Sequence, residues 1–131
     1  MIEIELPWPR GLTPNTGRRT TMAARTGHEA ADREDGRAAV SETVRDAVIS
    51  TFGVDVRAGA GGKQREQLIP CEIEFCPPDW RWYDALNCHY RVKAVMDGVM
   101  ETIGIDDARL WATTLRLGEA VRGGKVTVRI G

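Results

Sequence analysis

The chain has 131 residues, 42% of them hydrophobic and 28% charged, with a formal net charge of −1. That length predicts one domain, residues 1–131, with room for one real core, and the composition is ordinary for a soluble globular protein. No apolar run approaches the roughly 20 residues of a membrane span, and a near-neutral charge does not by itself announce a nucleic-acid binder.

Ile2, Ile4 and Leu6 alternate with Glu3 and Glu5, which predicts a half-buried strand ended by Pro7 and Pro9. Alternation from the first residues reads as a strand and not as a signal peptide. With three cysteines, an odd number, the expected compartment is the reducing cytoplasm. Residues 10–36 are polar and punctuated by Gly11, Pro14, Gly17, Gly27 and Gly36, so a long basic and polar loop is expected there. From Arg10 to Arg25 there are four arginines, Arg10, Arg18, Arg19 and Arg25, and no acid. A local basic surface explains them, and so does a solvated polar loop.

Val40, Val44, Ala47, Val48 and Phe52 recur at helical spacing, which predicts a helix over Arg37–Phe52 stopped by Gly53. RAGAGGKQ (Arg57–Gln64) lacks the GK[ST] ending of a phosphate-binding loop and reads as a plain connection. Leu68–Phe75 is the next strand, with Ile69, Cys71, Ile73 and Phe75 on one face and Pro77-Pro78 at its end. Val92, Val95, Met96, Val99, Met100 and Ile103 form an apolar stripe over Asn87–Ile103, a helix closed by Gly104. Leu110–Leu117 and Lys125–Ile130 read as a closing hairpin joined by GEAVRGG. The expected fold class is α/β in the α+β sense: a small mixed, antiparallel-rich sheet with two main helices packed on it.

The chemistry-bearing residues are sparse. Cys71, Cys76 and Cys88-His89 lack the paired spacing of a zinc site, and Cys71 and Cys76 should face opposite sides of their strand. His28 and His89 stand apart from any nucleophile with a family signature. Asp84 sits at a helix entrance, where an acid is an ordinary cap, and Asp106-Asp107 follows the same helix, where turn chemistry suffices. Taken together these acids are also the oxygen ligands that a hard divalent cation needs, and such sites serve phosphodiester cleavage. Lys93 is placed to meet developing phosphate charge. Trp80, Trp82 and Tyr83 either stack on unpaired bases or send one or two rings into the core.

Three stretches carry a family resemblance: LPWPRGLTPN (Leu6–Asn15), FCPPDWRWYDALN (Phe75–Asn87) and KAVMDGVMETIGIDD (Lys93–Asp107). In order, they resemble the opening strand with its Pro/Asn loop, the approach to a D-x-D-N motif, and the lysine-bearing helix with its terminal acid pair. The family is the RusA Holliday junction resolvases, in the phage or prophage branch, and the resemblance runs nearly end to end. It implies a homodimeric endonuclease of DNA recombination and repair that cuts four-way junctions with Mg2+, Mn2+ being an alternative. By position, Asp84, Lys93 and Asp107 match the catalytic residues, and Asp84, Asp106 and Asp107 the metal ligands. Branched DNA would meet Arg10, Arg18, Arg19, Arg25, Arg81, Tyr83 and the motif asparagine, Asn87.

One position departs: the family's second motif aspartate falls on Leu86, which offers no oxygen. The arginines before the motif are thinned as well. A helix of about 17 residues between Asp84 and Asp107 spans roughly 25 Å, too far for one metal. The chain folds back after Gly104, or the helix breaks, or a second subunit supplies one acid. Two functions stay open: an endonuclease weakened by Leu86, and a non-catalytic relative that binds branched DNA or a protein partner.

Overall fold

The computed structural model describes residues 1–14, 22–52, 68–105 and 107–131, without the side chains of 22–26, 107 and 108. Among these residues the order is β1 (Ile2–Pro7), α1 (Met22–Ala39), α2 (Glu42–Phe52), β2 (Cys71–Cys76), α3 (Ala85–Ile103), a 3-10 helix (Asp107–Leu110), β3 (Thr113–Leu117) and β4 (Lys125–Ile130). The fold is a small α+β arrangement with helices packed on a four-stranded mixed sheet of order β1-β4-β2-β3. No helix among the described residues is long and apolar enough to cross a membrane.

Register follows from alternation. Ile4 pairs with Val128, Val128 with Ile73, and Ile73 with Leu115, so one row of β-branched and leucine side chains crosses all four strands. The neighbouring rows point the other way. There Arg129 reaches Glu3 and Glu72 at 3.1 Å each and Glu74 at 3.5 Å, a polar ladder that keeps the outer face wetted. The inner rows meet the stripe of α3, where Val95 and Val99 are fully buried. Burial of such a side chain contributes about 1.5–3 kcal/mol. Gly104 then stops α3 in the left-handed conformation, φ 81°, which glycine adopts without strain.

Residues 10–36 do not form one long loop: α1 occupies Met22–Ala39. Its polar composition hid it, because the buried residues among α1's described side chains are Asp32 and Gly36, neither of them apolar. A Cβ on Gly36 would collide with the Val95 carbonyl oxygen, and one on Gly98 with the Arg33 carbonyl oxygen. The backbones of α1 and α3 therefore touch directly. Each glycine weakens its own helix by about 0.5–1 kcal/mol, and the close packing offsets that. The helix expected over Arg37–Phe52 is in fact two. α1 ends at Ala39, and Ser41 starts α2 by accepting the Val44 N–H on its Oγ at 3.2 Å.

The closing hairpin is also absent, since β2 lies between β3 and β4. The connector after Leu117 steps over the end of β2: Gly118 N–H donates to Phe75 O at 2.8 Å and Val121 N–H to Pro77 O at 2.9 Å. Seven residues are enough to cross the roughly 10 Å between strands two places apart. Cys71 joins the core, and Cys76 faces the other side beside Glu74, as their spacing predicts. Burial pushes the Cys71 and Cys88 thiols up to about 11.

Gly36→Ala and Gly98→Ala should each lose about 1–3 kcal/mol in denaturant titrations, because overpacking meets backbone. Gly27→Ala, with nothing within 4 Å of its Cβ, should gain about 0.5–1 kcal/mol as a helix former. The buried thiols stay protonated when unfolded thiols have already ionised near 9.0. Their contribution is full below pH 9 and is lost as pH rises toward 11. The denaturation midpoint should fall across that window, and fall less in a Cys71→Ala/Cys88→Ala variant.

Candidate functional site

The segment from β2 to α3 begins with Pro77-Pro78, which cannot continue a ladder, and reaches α3 through Asp79–Asp84. Asp84 is the N-cap of α3. Its Oδ1 accepts the Leu86 N–H at 2.9 Å and the Asn87 N–H at 3.4 Å, with extended backbone angles of φ −75° and ψ 126°. The carboxylate thus sits at the positive end of the helix with its Oδ1 engaged by the cap. Asn87 is half-buried one residue further along. Leu86, beside the cap, is 78% exposed and packs in no core.

Asp79 is committed elsewhere. Arg81 grips it through Nη2 at 2.7 Å, Nε at 3.1 Å and its own N–H at 3.0 Å, and Tyr83 Oη donates at 3.3 Å. The Arg81 guanidinium holds the Asp79 carboxyl below its usual range. Arg81, expected to meet DNA, therefore spends its fork on a neighbour two residues away. Tyr83 is anchored too, edge-on to Trp8 at 5.4 Å, while Trp8 stands edge-on to Phe75 at 6.2 Å. Of the two alternating pairs in this stretch, Trp80 and Trp82 are the outward one, 79% and 87% exposed.

The remaining expected site residues do not converge on Asp84. Lys93 lies nine residues on, about 13 Å along the axis and half a turn around it, and its Nζ pairs with Asp97 at 3.0 Å. Asp107 opens the 3-10 helix past the far end of α3. Asp106 and the side chain of Asp107 lie outside the described residues. The 19 residues of α3 run unbroken, a length of about 28 Å. The chain does not return afterwards: Thr113 of β3 aligns with Cys71, at the opposite end of β2 from the Asp84 segment. Among the described residues, neither a break in α3 nor a fold back after Gly104 brings Asp84 and Asp107 together.

The basic stretch is likewise rearranged. Arg10 does meet acids, because α1 folds back on it. Its N–H donates to Asp32 Oδ1 at 3.1 Å, and its Nη1 lies 2.6 Å from Asp35 and 3.4 Å from Asp32. Asp32 is buried, and burial raises its pKa against the pull of Arg10. Arg18 and Arg19 lie outside the described residues; Arg25 falls within α1, its side chain likewise outside.

Among the described residues, no group of three or more His, Cys, Asp or Glu side chains stands close enough to hold a metal ion. A hard cation needs several oxygens. At the α3 entrance one carboxylate already caps the helix, Leu86 supplies nothing and Asp79 is held by Arg81. The described residues of one chain do not fit a Mg2+ site.

Sequence reasoning missed a cleft between α1 and α3, lined by Arg10, His28, Asp32, Arg33, Arg91 and Lys93 among others. The signal was present: His28, Asp32 and Asp35 recur at helical spacing within the stretch read as a loop.

Because Leu86 is exposed and two residues past the cap, Leu86→Asp should change stability by no more than about 0.5 kcal/mol, apart from a dipole gain of about 0.3–1 kcal/mol. Asp84→Ala should lose about 0.5–2 kcal/mol, and Asp84→Asn, which keeps an accepting oxygen, much less. Denaturant titration of the three variants checks both statements.

No model of a known protein family matches the chain, and no curated protein matches it.

Proposed function

We propose that the chain is a structure-selective endodeoxyribonuclease of the RusA type, acting on four-way DNA junctions as a homodimer with a weakened cutting centre. The observation that carries this reading is the exposed entrance of α3. There two outward tryptophans, Trp80 and Trp82, flank a carboxylate fixed by the helix itself. Large exposed rings have little structural purpose in a small domain. A branched junction offers unpaired bases, and stacking one on an aromatic ring contributes about 1–3 kcal/mol.

Dimerisation supplies what one chain lacks. A twofold axis across α3 sets one copy antiparallel to the other, and the Asp84 end of each protomer then faces the Asp107 end of its partner. Apolar surface beside α3 suits this. A groove of about 630 Å³ there is lined by Val92, Met96, Met100, Leu110 and the exposed Trp111.

A second reading is favoured by one specific pair of observations: Leu86 replaces an expected acid, and Asp79 is already tied to Arg81. On that reading the chain is a relative that binds branched DNA and does not cut it.

Cleavage of a labelled four-way junction in Mg2+ or Mn2+ separates the two. Slow cutting by the wild type that rises in Leu86→Asp and disappears in Asp84→Asn is the expected result. A stable Leu86→Asp protein that binds the junction and cuts nothing establishes the second reading instead. In gel-shift titrations, Trp80→Ala and Trp82→Ala should each weaken junction binding by about 1–3 kcal/mol. Arg18→Ala/Arg19→Ala should lower the salt slope by about one unit per lost phosphate contact; an unchanged slope removes those arginines from the binding surface.

A further inference from the structure

We propose that the cleft between α1 and α3 is an oxyanion site that takes a phosphate group. The site is separate from the α3 entrance and does not depend on the resolvase reading.

Its walls come from three parts of the chain. The segment after β1 gives Arg10, α1 gives His28, Asp32 and Arg33, and α3 gives Arg91 and Lys93. Two atoms in this set are buried without a hydrogen-bond partner, Arg91 Nε and His28 Nδ1. The first is the more telling. A guanidinium N–H can only donate and stays charged at every relevant pH. Leaving a buried donor unpaired is strongly disfavoured, more so when it is charged. The acids of the cleft do not relieve it. Asp32 is engaged by Arg10, Asp97 by Lys93 at 3.0 Å and Arg33 at 3.8 Å, and Glu29, the third acid of the lining, has a partner as well. Arg91 Nε has no hydrogen-bond partner among the described residues, and the guanidinium carbon lies 5.9 Å from the centre of the Tyr90 ring.

The cleft is built to keep this arrangement. Gly11 sits at φ +73°, and a Cβ there would lie 2.6 Å from His28 Nδ1 and 3.7 Å from Arg91 Nη1. Glycine is thus required where the backbone closes over both unpartnered groups. The volume, about 240 Å³, lies below the roughly 300–1,000 Å³ of ordinary small-molecule pockets. That leaves room for a compact oxyanion and not for a base with its sugar. Size, a guanidinium whose Nε has no partner and an adjacent imidazole match the tetrahedral oxygens of a phosphate, which accept bidentate bonds from arginine. The group belongs either to free phosphate or to the phosphodiester of a strand; the ligand chemistry is the same.

The test follows the Arg91 Nε–H resonance in 1H–15N spectra of the full chain. Inorganic phosphate is titrated in one arm and a short single-stranded oligonucleotide in the other. A saturable shift of that resonance is expected, and phosphate affinity, read in the variants from the Gly11 backbone amide that borders the cleft, falls at least tenfold in Arg91→Lys, which keeps the charge and loses the fork. Saturation by the oligonucleotide at lower concentration identifies the strand as the source; saturation by inorganic phosphate alone identifies the free ion. No saturable shift in either arm overturns the proposal, and so does equal phosphate affinity in Arg91→Lys. Should that variant fail to fold, His28→Ala and the wild-type shift carry the same decision. Loss of junction binding with the phosphate shift intact would overturn the resolvase reading and leave this site standing.

Discussion

The contact between the backbones of α1 and α3 at Gly36 and Gly98 sets most of what else the structure does. With no side chain at either position, the two helices approach until carbonyl oxygens occupy the space a methyl group would need. The approach brings Arg37 to Glu101 at 2.9 Å and Arg33 toward Asp97. It also swings the acids of α1 under Arg10 and leaves His28 facing the Arg91 side of α3. A residue larger than glycine at either place would part the helices and dissolve the cleft between them.

The other end of α3 shows a different kind of constraint. Asp84 is structurally occupied before it is chemically available, because the helix needs its oxygen as a cap. A carboxylate in that role is held rigidly, which suits a site, but it offers fewer free oxygens. Leu86 shows the converse. It is exposed and touches no core, so the fold is indifferent to what stands there while the chemistry is not. A change of residue at this position therefore costs the fold nothing.

Much of the sheet was legible because burial imposes a period of two: Ile4, Ile73, Val128 and their neighbours face inward as their alternation says. The α3 stripe was legible for the same reason at a period near four, and Gly104 marked its end. α1 was not, since its buried positions are Asp32 and Gly36 and much of its remaining surface is charged. A helix held by backbone contact carries almost no apolar signature. The strand order escaped because a seven-residue connector fits a hairpin and a crossing equally well, and only β2's place between β3 and β4 decides. At the site, local sequence correctly made Asp84 a cap and a helix-entrance acid. It wrongly left Arg10 without acids, because Asp32 and Asp35 are distant in sequence and close only in space.

The central claim is recognition of branched DNA, and competition binding in the absence of divalent metal tests it most directly. A labelled four-way junction is bound by the chain and displaced either by unlabelled junction or by linear duplex of the same sequence and total length. The account predicts that the duplex competes at least tenfold less well, because paired ends offer Trp80 and Trp82 few unstacked bases. Equal competition by the two DNAs would contradict it.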